Sequence, residues 1–128
     1  MKIEYLPAGA PECLLIRTFG TEPGDFRLFL SAVRELATGM TERIALNSSA
    51  GFKGPDGCRL DLVLGGSDEA PAAMGQGWVW QLTKASWATV AMLVSPIAAS
   101  PRIGVFQWLT DRIDGPAVLL SCSEDGSW

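Results

Sequence analysis

The residues best placed to do chemistry alternate with aliphatics along strand-like runs. In "CRLDLVLGG", Arg59 and Asp61 point one way while Leu60, Leu62 and Leu64 point the other. The same outward parity assigns Arg17 of "CLLIRTFG", Gln81 of "WVWQLT" and Gln107 of "RIGVFQWLT" to that face. Two guanidiniums, a carboxylate and two carboxamides on one face form a candidate ligand-binding set. Leu15, Val63, Val105, Leu109 and Leu119 share the parity, so the face is half-apolar and is equally a candidate interface for a second subunit. Plain solvation, with Arg59 and Asp61 in ordinary cross-strand pairs, is the third reading of the same pattern.

Catalytic chemistry has thin support. The chain has no histidine, which removes the commonest general base and metal ligand and leaves no Ser-His-Asp or Cys-His arrangement. No phosphate loop, nucleophile elbow or dinucleotide-binding glycine motif follows a strand-like run, and "LGGSDEA" and "GQG" read as turns. The carboxylate pairs Asp68-Glu69, Asp111-Asp114 and Glu124-Asp125 fall in loops, where the burial that separates two pKa values is uncommon. Cys13, Cys58 and Cys122 are odd in number, widely spaced and set in strand-like runs. They read as core thiols rather than as a disulfide framework or a zinc site. The expectation is a non-catalytic chain with no cofactor and no metal.

The elements that position this face follow from periodicity. "TEPGDFRLFLSAVRELATG" carries Phe26, Phe29, Leu30, Val33, Leu36 and Ala37 at helical spacing, with Thr21 as a candidate cap and Gly39 as the stop. "KASWATVAMLVSPIAAS" repeats the pattern with Trp87, Val90, Val94 and Ile97, capped by Thr83, and Pro96 predicts that this helix ends near Val94. "KIEYLP", "CLLIRTFG", "TERIALNS", "CRLDLVLGG", "WVWQLT", "RIGVFQWLT" and "PAVLLSCS" read as strands. Asp56-Gly57 and Asp114-Gly115 predict antiparallel hairpins.

The order repeats over about residues 13–66 and 76–124, as two β-α-β-β units. An internal duplication and ordinary α/β patterning both produce such a repeat. Half of the chain is marginal as an independent core. The expected fold is therefore a single α+β domain over 1–128, with one mixed, largely antiparallel sheet and both helices on one face. Trp78, Trp80 and Leu82 share the apolar parity of their strand with no polar neighbour, so the tryptophans are assigned to the core. The terminal Trp128 is read as folding back over an edge.

Composition narrows the partners. The 128 residues carry a net charge of −4 with no basic cluster, against a nucleic-acid or anionic-membrane surface. The start has no signal-peptide pattern and the longest apolar run is interrupted by Pro96, so a cytoplasmic location is expected. In "IEYLP", "PECLLIR", "GCRLDLVL", "FQWL" and "GSW" the chain resembles a group of uncharacterised small bacterial proteins. The resemblance implies a bacterial domain and brings no activity or site residue. The leading expectation is a protein that self-associates or binds a protein partner through the outer sheet face. The alternative is a small-molecule-binding domain, or a histidine-free enzyme, with its ligand on that face.

Overall fold

A computed structural model describes residues 2–9, 13–20, 23–46, 59–75, 77–100, 102, 104–109 and 117–122, and no side chain before residue 24. The chain order is β1 (Lys2–Gly9), β2 (Cys13–Gly20), α1 (Pro23–Thr38), β3 (Arg43–Ala45), β4 (Arg59–Leu64), β5 (Ala72–Met74), β6 (Gly77–Leu82), α2 (Lys84–Ala99), β7 (Phe106–Trp108) and β8 (Ala117–Cys122). The α+β class is as expected. Cys58, Trp128, Thr21, the two Asp-Gly turns and the acidic pairs at 111–114 and 124–125 lie outside the described residues.

The single sheet is not what forms. The strands assemble as two four-stranded sheets, β1-β2-β8-β7 and β3-β4-β6-β5. Each has a parallel central pair, β2 with β8 and β4 with β6, flanked by antiparallel outer strands. The expected β-α-β crossover within one sheet is therefore absent: β2 and β3, which flank α1, belong to different sheets, as do β6 and β7 around α2. Each sheet instead joins one hairpin from the first half of the chain to one from the second. The mixed and mainly antiparallel character holds within each sheet.

The registers of the two sheets correspond. Arg59 pairs with Gly77 and Leu64 with Leu82 in one central pair, as Ala117 does with Leu15 and Cys122 with Gly20 in the other. Arg43 opposite Val63 has its counterpart in Phe106 opposite Ser121. The buried positions of α1 (Phe26, Phe29, Val33 and Leu36) recur in α2 at identical spacing as Trp87, Val90, Val94 and Ile97.

Local chemistry explains the helix limits. Gly39 takes a φ of 77° beyond α1, a conformation that costs glycine least, and the Met40 amide donates to the Glu35 carbonyl at 3.0 Å. Thr83 caps α2, its hydroxyl accepting from the Ser86 amide. The predicted stop near Val94 does not occur, and α2 continues through Pro96 to Ala99. Proline removes the amide that would have bonded the carbonyl of Met92. Met92 is 75% exposed, so water can solvate that carbonyl.

One hydrophobic cluster unites both helices with both sheets. It includes Phe26, Phe29, Leu36, Leu60, Leu62, Trp80, Trp87, Val94, Val118 and Leu120. Trp80 and Trp87 are fully buried and meet edge to face, with ring centroids 4.9 Å apart and planes at 65°. The Trp87 indole N–H donates to the Val63 carbonyl at 3.0 Å, whereas the buried Nε1 of Trp80 has no partner. Trp78 is half-buried and packs against the cluster. The core assignment of these tryptophans agrees with the packing.

Candidate functional site

Because there are two sheets, the candidate residues do not share one face. Arg59, Asp61, Gln81 and Val63 lie in the second sheet, on β4 and β6. Arg17, Leu15, Gln107 and Leu119 lie in the first, on β2, β7 and β8, and the side chains of Leu15 and Arg17 are outside the described set. Any site built from Arg59 and Asp61 is therefore a property of the second sheet.

In that sheet the polar parity converges. Asp61 faces Ala45 on one side and Val79 on the other, and Arg59 faces Gly77. Arg43 stands opposite Val63, diagonal to Asp61, and its Nη2 reaches the Asp61 Oδ2 at 2.5 Å. Diagonal cross-strand neighbours are within reach of long side chains. The Asp61 side chain is only 11% exposed while that of Arg43 is 56% exposed. The carboxylate is thus fixed in the sheet surface and its cation leans over it from the edge. Among the described residues the Arg59 guanidinium has no hydrogen-bond or ion-pair partner.

These groups border an open hollow of about 260 Å³, lined by Arg43, Arg59, Asp61, Gly75, Gly77, Trp78 and Val79. Gly77 lets β6 pair closely with Arg59 at the edge of this hollow. A Cβ built there would come 2.7 Å from the Cβ of Arg59 and 3.0 Å from its carbonyl oxygen, so any side chain would crowd the first pair of the parallel strands. Gly75, with a φ of 60°, makes the tight reversal between β5 and β6, where Met74 pairs with Gly77. Two guanidiniums and one carboxylate leave a local excess of positive charge in a chain whose net charge is −4. Such a hollow suits a small anion; a guanidinium binds a carboxylate or phosphate through paired N–H donors.

The other candidates have different duties. Gln81 donates from Nε2 to the Ser67 carbonyl at 3.2 Å, and its main-chain carbonyl accepts from the Glu69 amide at 2.9 Å, which ties down the loop after β4. Gln107 donates to the Trp108 carbonyl at 2.9 Å. Its expected outward parity is reversed: Gln107 pairs with Leu120, a core residue, while Phe106 and Trp108 pair with Ser121 and Leu119.

The apolar set expected at an interface is largely consumed within the chain. Leu109 is 5% exposed and belongs to the core cluster. Leu109 shares the inward parity of Gln107, and its amide donates to the Val118 carbonyl at 2.8 Å, so the reversed alternation carries it into the core. Leu119 lies opposite the core parity of β8 yet is fully buried. Val63 and Val105 are half-buried, and Val105 packs against the core. Little of the predicted aliphatic face is left for a partner.

Sequence reasoning missed Arg43 and the hollow's glycines. β3 is only three residues long, and Arg43 carried no signal beyond its parity. No strand is expected between "CRLDLVLGG" and "WVWQLT", but Ala72–Met74 forms the edge strand β5. Of the acidic loop residues, Asp68 is structural: it accepts from the Thr83 amide at 2.9 Å and the Ser86 hydroxyl at 2.6 Å, at the start of α2. Among the described residues no group of three His, Cys, Asp or Glu could hold a metal ion, and no helix is long and apolar enough to cross a membrane. Comparison with family models, with curated proteins and with solved structures gave no match.

Proposed function

We propose that the protein is a small-molecule-binding domain that holds a small carboxylate or phosphate in the hollow at the start of β4 and β6. The observation that carries this reading is the Arg59 guanidinium, without a partner among the described residues, beside the Arg43–Asp61 ion pair in a hollow that Gly77 also lines. Asp61 neutralises Arg43 and holds it in place, so Arg59 is the cation left to meet a ligand. Arg43 offers its remaining N–H donors from the other side.

The burial of Leu109 and Leu119 moves weight from the sheet-face interface to the ligand. In this reading the domain is a bacterial, cytoplasmic binding module rather than an enzyme. Its two halves descend from one duplicated ββαββ unit, a view supported by the matching registers and helix spacing. The Arg43, Arg59 and Asp61 set then belongs to one half's use of the shared scaffold, since the corresponding first-sheet positions are Phe106, Ala117 and Leu119.

Two-dimensional NMR tests the reading. Titration with small carboxylates and phosphates should move the backbone amides of Arg43, Arg59, Gly75, Gly77 and Val79 and leave those of α1 in place. Saturation with every member of such a panel and no movement at these positions would overturn it.

A further inference from the structure

The Arg43–Asp61 ion pair uses one of the two Asp61 oxygens. Arg43 meets Oδ2, and among the described residues Oδ1 accepts no hydrogen bond. Nor is Oδ1 sealed inside the protein. Among the described residues, Trp80 Nε1 alone is a side-chain polar atom both fully buried and without a partner, so Oδ1 keeps contact with solvent. Asp61 lines the hollow, and its side chain is 11% exposed. The hollow therefore presents an anionic acceptor as well as the Arg59 guanidinium.

We infer that the anion held here is an α-hydroxy carboxylate, with its acid group on Arg59 and its hydroxyl donating to Asp61 Oδ1. The inference rests on the anion-binding reading of the hollow and narrows its ligand. A bare carboxylate has acceptors only. Seated on Arg59, it sets its oxygens toward Oδ1, which hangs from the same face of β4 two positions on, about 7 Å along the backbone. Like charges and facing lone pairs make that approach unfavourable. A hydroxyl on the carbon beside the acid group turns the same approach into a charge-assisted hydrogen bond. Arg59 is exposed, and its long side chain can bring the guanidinium to an acid group bound next to Asp61.

Charge selects a monoanion. Two guanidiniums less one carboxylate leave the hollow one positive charge in excess. A hydroxy monocarboxylate cancels it. A phosphate dianion overshoots and meets Asp61, and an amino-acid zwitterion leaves the excess in place.

Amide chemical-shift titrations with glycolate, acetate and inorganic phosphate at matched ionic strength test the inference. Glycolate and acetate differ by the hydroxyl alone. Glycolate should bind the unmodified chain about tenfold more tightly than acetate, as one hydrogen bond to a charged group allows. Asp61→Asn should erase that preference and still bind acetate at least as well as the parent, because the repelling charge is gone. The comparison on the unmodified chain stands by itself should the variant fold poorly. Equal affinity for glycolate and acetate would overturn the inference and leave the anion site standing. Phosphate binding tighter than glycolate, or a glycolate preference kept by Asp61→Asn, would do the same. No movement at Arg59 and Gly77 with any of the three would overturn both the inference and the anion site beneath it.

Discussion

Arg43 and Asp61 meet diagonally across β3 and β4 with Nη2 and Oδ2 2.5 Å apart, the carboxylate almost buried and the guanidinium half in solvent. The asymmetry assigns the roles. A carboxylate lodged in a sheet surface needs a cation or donors to stay charged. Arg43 supplies that cation, and among the described residues the charge of Arg59 has no counterpart.

The ion pair should matter modestly for stability and more for the hollow's charge. Asp61→Asn keeps the side-chain shape and removes the carboxylate's charge. With Arg43 half-exposed, the loss should be about 1 kcal/mol, in the range of partly exposed pairs. Urea denaturation measures it. A loss several times larger would mean that Asp61 holds more of the sheet than Arg43.

The two stacked tryptophans should respond unequally to loss of the indole. Trp87→Phe leaves the Val63 carbonyl without its donor, whereas Trp80→Phe removes a buried N–H that has no partner. Both lose packing volume. Unpaired buried polar groups cost about 1–3 kcal/mol, so Trp87→Phe should be the more destabilising by about 1 kcal/mol or more. Equal losses in paired denaturation curves would contradict the assignment.

Asp68 should behave as a capping residue despite its place in an acidic loop. Asp68→Ala removes the acceptors of the Thr83 amide and hydroxyl and of the Ser86 hydroxyl. Loss of such a cap costs about 1–2 kcal/mol. Amide exchange in the first turn of α2 should accelerate together with the fall in global stability. Protection unchanged in that turn would show that Thr83 suffices alone.

Burial raises the Cys122 thiol above its ordinary value of 9.0. The folded chain then holds the thiol proton at pH values where the unfolded chain releases it. That contribution is complete below the unfolded thiol's range and is lost as pH climbs through and beyond it, so stability falls on the alkaline side. Mass-mapped alkylation at mildly alkaline pH should leave Cys122 unlabelled in the native protein and label it after denaturation. Rapid native labelling would contradict its burial.

Much of the local structure was legible. The helical spacing from Phe26 to Ala37, the glycine stop at 39, the Thr83 cap and the alternation of Leu60, Leu62 and Leu64 each state their own conformation. What failed was non-local or short. Nothing near β2 announces that it pairs with β8, so a chain with one hairpin at each end of each half was read as one sheet. β5 has no β-branched or aromatic residue to mark it, and in β7 the aromatic pair Phe106 and Trp108 drew the core parity to the wrong face, so that Gln107 and Leu109 were placed outward. Pro96 misled because the exposed side of a helix tolerates an unpaired carbonyl. Within the site, Arg59 and Asp61 were legible by parity. Arg43 was not, because its contact depends on the β3–β4 register.

The most direct test of the anion site is a thermal-shift titration with small carboxylates and phosphates at matched ionic strength, on the unmodified chain and on Arg59→Ala. At about ten times its dissociation constant, a ligand of the native state alone adds about 1.4 kcal/mol. For a domain of this size that is roughly 5 °C. The account predicts a saturable rise of that order for at least one anion, lost in Arg59→Ala, whose own melting temperature stays near the parent's. No saturable rise with any anion, or an equal rise in Arg59→Ala, would contradict it.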